Sequence, residues 1–112
     1  MDNQDFNIPN NLNAQGQQAA EAIVALMTAE LANPSGGGGK AFYTPEEWSD
    51  RGEDYGQGAV LIVVHDGGDQ ARYFNLDYEQ YGAFDRMNTR LGQLGLYAEQ
   101  CTCWYSAVYD AR

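Results

Sequence analysis

The stretch that decides the fold is AVLIVVHDGGDQARYFNLD, residues 59–77. Ala59–Val64 is an apolar run rich in β-branched residues, which is typical of a strand covered on both faces. The residues Asp66–Asp69 read Asp-Gly-Gly-Asp, and the two glycines can supply the positive φ angles of a hairpin turn. Ala71–Leu76 is then predicted to return as the partner strand. The stretch also holds His65, the only histidine of the chain.

The N-terminal part of the chain is predicted to form an arm, a helix and a connector. Residues 1–14 are polar and rich in asparagine, so we expect a mobile arm followed by one domain over residues 15–112. Apolar residues from Gln15 to Leu31 recur with helical spacing, and Asn13 is placed to cap that helix. The glycine-rich run Ser35–Gly39 is predicted to be a flexible surface connector.

A short helix is predicted at TPEEWSDRG, residues 44–52. Thr44 and Glu47 have the spacing of a capping box, in which each side chain accepts a hydrogen bond from the other residue's backbone N–H. Tyr43 and Trp48 occupy the two positions of a hydrophobic staple. We therefore expect a helix of about two turns, anchored by the indole ring.

The C-terminal part completes an α+β fold. Asp77 is placed to cap a helix over residues 78–94, with Gln80 as its capping-box partner. Tyr97–Ala111 carries aromatic residues on both faces and is predicted to be one long strand. We expect a single α+β domain: an antiparallel or mixed sheet of about four strands, two main helices packed on one face, and one short helix. The predicted strands are residues 40–43, 59–64, 71–76 and 97–111.

Charge is the strongest global property. The chain has 16 acidic and 6 basic residues, a net charge of −10. Such a surface repels the phosphates of nucleic acids and of anionic lipids, so we expect no direct binding of nucleic acid or membrane. It suits a basic protein partner, including one that normally holds nucleic acid. The simpler interpretation is that the acids serve solubility.

The two cysteines, Cys101 and Cys103, are predicted to be free thiols. On a strand, a Cys-x-Cys pair points both side chains the same way, so their Cβ vectors do not converge as a disulfide requires. We therefore expect a reducing, cytoplasmic location, and residues 1–14 lack the apolar core of a signal peptide. A zinc site with His65 would have only three ligands, whereas a closed structural site takes four. We expect no cofactor and no metal.

Aromatic residues and one carboxylate stand out in the C-terminal half. The aromatic side chains would stack nucleic-acid bases only beside a basic groove, which this chain lacks, so we expect core packing or a protein-facing patch. Glu99 lies among apolar neighbours, and we expect an arginine to pair with it. The aromatic set is Tyr73, Phe74, Tyr97, Trp104, Tyr105 and Tyr109, and the candidate arginines are Arg72, Arg86 and Arg90.

A broader pattern spans most of the chain: YTPEEW…RGEDYGQGA…VVHDGGD…YFNLDY…GLYAEQCTCWYSAVY. It resembles a family of small bacterial and phage-borne proteins with no established activity. The similarity covers residues 43–109. It implies a cytosolic one-domain protein from a mobile element, and it transfers no catalytic residues.

Three functional hypotheses compete. The first is a non-enzymatic acidic protein-binding module, in particular a phage or mobile-element inhibitor of the anti-CRISPR type, which imitates nucleic-acid charge to block a nucleic-acid-binding defence protein. The second is a small metal- or thiol-dependent enzyme centred on His65, Cys101 and Cys103. The third is a homodimer formed through the edge of the strand Tyr97–Ala111. The binding residues of the first hypothesis are Glu46, Glu47, Asp50, Glu53, Asp54, Asp66 and Asp69.

Overall fold

The computed structural model describes residues 8–32, 41–53, 55–65 and 69–111. Four sequence predictions lie outside these residues: most of the N-terminal arm, the connector Ser35–Gly39, the acid Asp54, and the centre of the hairpin turn at residues 66–68. The helices are α1 (Ala14–Ala29), α2 (Pro45–Asp50), α3 (Ala71–Phe74) and α4 (Tyr81–Gly92), with a 3₁₀ turn at Leu76–Tyr78. The strands are β1 (Phe42–Tyr43), β2 (Leu61–Val64), β3 (Leu96–Gln100) and β4 (Tyr105–Asp110).

The four strands form one antiparallel sheet in the order β1-β2-β4-β3. The inner strands β2 and β4 pair Ile62 with Ala107, and β1 pairs Tyr43 with Ile62. On the outer side, β4 pairs with β3. The predicted α+β class is confirmed, and the described residues form a single compact globule.

The sheet separates two apolar cores. The first face is covered by α1, α3 and α4, which bury Met27, Phe74 and Met87 against Leu61 of β2. The second face carries a smaller core, which is covered by α2 and the loop after it and consists of Trp48, Ile62, Tyr105 and Ala107. Because consecutive residues of β2 point into different cores, its whole length is apolar, as predicted.

Signals that depend on neighbouring residues are confirmed. Asn13 caps α1, and its Oδ1 accepts a hydrogen bond from the Gly16 N–H at 2.7 Å. In α2, Thr44 Oγ1 accepts from the Glu47 N–H at 3.1 Å, and Glu47 Oε1 accepts from the Thr44 N–H at 3.1 Å. The staple is formed as well, with the ring centroids of Tyr43 and Trp48 4.9 Å apart.

The predicted hairpin strand at Ala71–Leu76 is wrong. Ala71–Phe74 is the short helix α3, and the 3₁₀ turn Leu76–Tyr78 follows it. Tyr73 and Phe74 are adjacent in sequence and are both buried in the first core, which a helix permits and a strand does not. Both edges of β2 are already paired, with β1 and β4, so β2 has no edge left for a hairpin partner.

The last helix begins later than predicted. Asp77 does not cap it but lies in the 3₁₀ turn, where its N–H donates to Asn75 Oδ1 at 2.9 Å. Glu79 then adopts a left-handed conformation, with φ at 58°, which interrupts the helical path. Consequently α4 starts at Tyr81, three residues after the predicted start.

The C-terminal segment is a hairpin, so the prediction of one strand over Tyr97–Ala111 is wrong. β3 and β4 pair antiparallel, and residues 101–104 form the connection. The Thr102 N–H donates to the Tyr105 carbonyl at 3.1 Å. Thr102 Oγ1 accepts from the N–H groups of Trp104 and Tyr105, at 3.2 and 3.3 Å. A threonine hydroxyl thus builds the turn, without the glycine or proline that marks most turns in a sequence.

Candidate functional site

Three of the predicted binding acids lie close together in sequence on α2 and the loop after it, which we call the acidic segment (residues 46–53). Glu46 and Asp50 are exposed, and Glu53 is half-buried. The structure shows no ion pair between these three carboxylates and any described basic side chain. The neighbouring base, Arg51, stacks instead on Trp48, with its guanidinium carbon 4.4 Å from the ring centroid.

The acidic segment also borders a shallow groove of about 360 Å³. The groove is lined by residues of α2, including Glu46, and by residues 57–59. The helix that presents the acids is held firmly, because Trp48 is 1% exposed and Thr44 is 2% exposed. The segment is therefore a fixed acidic surface beside a concave one.

The other predicted acids have different surroundings. Glu47 is half-buried and its carboxylate belongs to the capping box. Asp69 precedes α3 on the first-face side of the sheet, and its Oδ1 lies 3.9 Å from Arg72 Nη1. Asp54 and Asp66 lie outside the described residues. The structure thus brings Glu46, Asp50 and Glu53 together without Asp69.

His65 is fully buried on the first face. Its Nε2 lies 2.9 Å from Ser106 Oγ, and its ring stacks on Phe74 at 5.7 Å. Cys101 packs against the second core, on the opposite face of the sheet, and Cys103 is exposed in the turn. The sheet therefore separates His65 from Cys101.

The surroundings of Cys101 do not activate its thiol. Burial, followed by the nearby charge of Glu99, raises the pKa of Cys101, which disfavours the nucleophilic thiolate. Within the described ranges, no three His, Cys, Asp or Glu side chains gather as a metal site would require. The geometry thus offers no support for a Cys₂His centre or a Cys101–His65 catalytic pair.

A second surface lies on β3 and β4, and sequence reasoning did not locate it. Tyr97 and Tyr109 are directly paired across the hairpin, with ring centroids 5.5 Å apart and planes 29° apart. Glu99 follows on the same face of β3, opposite Ala107. We call Tyr97, Glu99 and Tyr109 the β3 patch. The sequence named all three residues, but one long strand would have held the two tyrosines about 40 Å apart.

Glu99 was predicted to pair with an arginine, but two of the three candidate arginines pair with other acids. Arg86 donates to Glu30 from Nε at 2.6 Å and from Nη2 at 2.9 Å, and Arg72 faces Asp69. Glu99 is exposed, and no described basic side chain forms an ion pair with it.

The edge of the sheet near this patch is partly closed. β3 is the outer strand, and the N–H of Ala98 donates to Asn88 Oδ1 of α4 at 3.4 Å. Capping of an outward N–H reduces the capacity of an edge to pair with another strand. The long exposed strand assumed by the dimer hypothesis is therefore replaced by a five-residue edge with one capped position.

No protein-family model, curated protein or solved structure matches this chain. In the part of the chain that the structure describes, no helix combines the length and apolar composition needed to cross a bilayer. Function is therefore inferred from the residues and geometry of the chain itself.

Proposed function

We propose that the protein is a non-enzymatic binding module whose acidic segment captures a basic partner protein. The observation that carries this proposal is the exposure of Glu46 and Asp50 on a firmly capped helix, with Glu53 beside them and no described basic side chain in an ion pair with any of the three. Unpaired surface carboxylates attract a basic surface over long distances and raise the rate of association. A fixed helix also avoids the entropy cost of ordering a flexible acidic tail on binding.

The class of partner that fits best is a nucleic-acid-binding protein. Grooves that bind phosphates do so with Arg and Lys side chains, and the same side chains pair with carboxylates. A chain with net charge −10 is repelled by nucleic acid but attracted to such a groove. The specific form of the proposal is an inhibitor from a phage or mobile element that occupies the nucleic-acid groove of a defence protein, and its support is the net charge of −10.

Charge reversal of the acidic segment tests the proposal. In the variant Glu46→Lys, Asp50→Lys, Glu53→Lys, the acidic segment becomes basic. A matched control, Glu21→Lys, Glu79→Lys, Asp85→Lys, changes the net charge equally at exposed acids elsewhere. The parent and both variants are used as bait in bacterial lysates, with quantitative mass spectrometry as the readout and thermal unfolding as the check on folding.

The expected result is that the parent and the control retain a basic nucleic-acid-binding protein and the acidic-segment variant loses it. Double-stranded DNA should displace the captured protein, because both ligands use the same groove. Equal capture by all three baits, or capture that DNA does not affect, would contradict the proposal.

A further inference from the structure

The second face of the sheet is covered over β2 and β4 but not over β3. Trp48 of α2 packs on Tyr105 with ring centroids 4.9 Å apart. The loop after α2 closes over β2 so tightly that a Cβ added at Gly56 would lie 2.6 Å from Ile62 Cδ1. On the outer strand, by contrast, Tyr97 is 42% exposed and Glu99 is exposed.

The uncovered side chains have a defined arrangement. Tyr97 and Tyr109 stack as a pair, which fixes two aromatic rings at one end of the patch. Glu99 is two residues from Tyr97 on the same face, a separation of about 7 Å along the strand. The residue opposite Glu99 is Ala107, whose small side chain leaves the tyrosine pair as the wall beside the carboxylate.

Electrostatics links the carboxylate to the rings. Burial raises the pKa of the Tyr109 hydroxyl, and the negative charge of Glu99 contributes in the same direction. Glu99 is paired with Ala107, two residues before Tyr109 on the same face of the neighbouring strand. Arg72 and Arg86, two of the arginines expected beside Glu99, face Asp69 and Glu30 instead. The patch thus combines a carboxylate that has no described cation with two partly exposed π systems.

We propose that the β3 patch is a receptor site for an arginine side chain of the basic partner. The planar guanidinium would stack on Tyr97 or Tyr109 and donate two N–H groups to Glu99. Arginine fits better than lysine because lysine presents a compact ammonium that can neither stack as a plane nor donate in bidentate geometry. This inference rests on the proposed function, which supplies the basic partner, and identifies which of the partner's side chains the chain recognises.

The tyrosine pair is of the residue type found at binding hot spots. Tyrosine and arginine are enriched among the residues that contribute most to interface energy, and hot-spot residues tend to pair with hot-spot residues of the partner. The negative charge of the chain favours a cationic occupant over a phosphate or a lipid headgroup. Arginine is also the cationic side chain that uses both the rings and the carboxylate.

A peptide titration followed by NMR tests the assignment on the full chain. The probe is acetyl-Gly-Arg-Gly-amide, and the comparison peptides carry lysine or citrulline, the uncharged analogue of arginine, in the same place. We expect saturable shifts at residues 97, 99 and 109 with the arginine peptide, weaker ones with lysine and none with citrulline. Glu99→Gln should weaken arginine binding about tenfold, because the pair loses its carboxylate charge and one of its two acceptor oxygens, whereas the exposed-acid control Glu79→Gln should leave it unchanged.

Other outcomes overturn the inference. Equal binding of the citrulline peptide, shifts confined to the acidic segment, or unchanged affinity in Glu99→Gln would each refute an arginine site on β3. Shifts at the patch that grow with protein concentration, without peptide, would identify a second copy of the chain as the occupant. The charge-reversed acidic-segment variant separates the two proposals, because it should lose the partner yet still shift at the β3 patch with the peptide. If the arginine peptide does not bind while partner capture still depends on the acidic segment, the arginine site is refuted and the proposed function is not.

Discussion

Replacing Glu30 with glutamine is expected to lower the free energy of unfolding by about 1.5 kcal/mol at pH 7. Glu30 follows the last turn of α1 and joins it to two other elements. Its carboxylate accepts two hydrogen bonds from Arg86 of α4 and one, at 2.7 Å, from the hydroxyl of Tyr73 in α3. The substitution Glu30→Gln keeps the shape and one acceptor but removes the charge.

The magnitude follows from how exposed each partner is. The Arg86 side chain is 53% exposed, so solvent screens the ion pair and limits its contribution to about 0.5 kcal/mol. Tyr73 is fully buried, and its hydrogen bond to a charged acceptor is stronger than one to a neutral amide by about 1 kcal/mol. With a urea dependence of about 1.5 kcal/mol per molar, the unfolding midpoint should fall by about 1 M.

The difference in the free energy of unfolding between the parent and Glu30→Gln should decrease as the pH falls. The hydrogen bonds from Arg86, then from Tyr73, lower the pKa of Glu30 from 4.5 to about 2. Because the pKa is lower in the folded state, the stabilisation is complete above about pH 5 and is lost as the pH falls from 4.5 towards 2. The parent and Glu30→Gln should therefore converge in stability at low pH.

Urea unfolding followed by tryptophan fluorescence, at pH 7 and at pH 3, measures both effects. Glu21→Gln is the matched control, because Glu21 is an exposed acid on the same helix that accepts only a surface hydrogen bond from Gln17. The control should change stability by less than about 0.5 kcal/mol at either pH. A Glu30→Gln variant as stable as the parent at pH 7, or equally destabilised at both pH values, would refute this account of the α1–α3–α4 junction.

Two further changes test the packing of the second face and the buried polar pair, both by urea unfolding. Gly56→Ala should destabilise the protein more than Gly58→Ala. Both glycines have positive φ, at 94° and 80°, which costs an alanine about 1–2 kcal/mol, but only at Gly56 does the new Cβ collide with Ile62. Equal losses of stability in the two variants would contradict the collision. Ser106→Ala removes the hydrogen-bond partner 2.9 Å from the buried His65 Nε2 and should cost about 1–3 kcal/mol, whereas a loss below 0.5 kcal/mol would show that this pair adds little to stability.

The elements that the sequence predicted well are those whose cause is local. The helix at Pro45–Asp50 was predicted from Thr44, Glu47, Tyr43 and Trp48, which all act within five residues of one another, and each contact is present. The inner strand at Leu61–Val64 was predicted from its composition alone, because a strand between two cores must be apolar on both sides. In both cases the neighbouring residues contain all the information.

The elements that were predicted wrongly depend on distant contacts. Whether Ala71–Phe74 forms a strand or a helix is decided by β4, which occupies the edge of β2 that a hairpin partner would need. The break at Thr102 depends on one hydroxyl accepting two backbone N–H groups, a role that most threonines in strands do not have. Tertiary context overrides local pattern at such positions.

The two candidate surfaces also differ in whether local sequence or distant contacts determine them. Glu46 and Asp50 could be placed together from sequence, because a helix fixes the positions of residues four apart. The pairing of Tyr97 with Tyr109 could not, since it exists only once the hairpin turn is known. The separation of His65 from Cys101 likewise depends on which face of the sheet each residue occupies.

The threonine-built turn also bears on the order in which the chain assembles. β3 and β4 are joined by four residues, so their pairing closes a short loop and belongs to the microsecond events of hairpin formation. β2 must find β4 across a far longer stretch of chain, which is the slow kind of contact. We therefore expect the strands that carry both tyrosines of the β3 patch to pair before β2 joins β4.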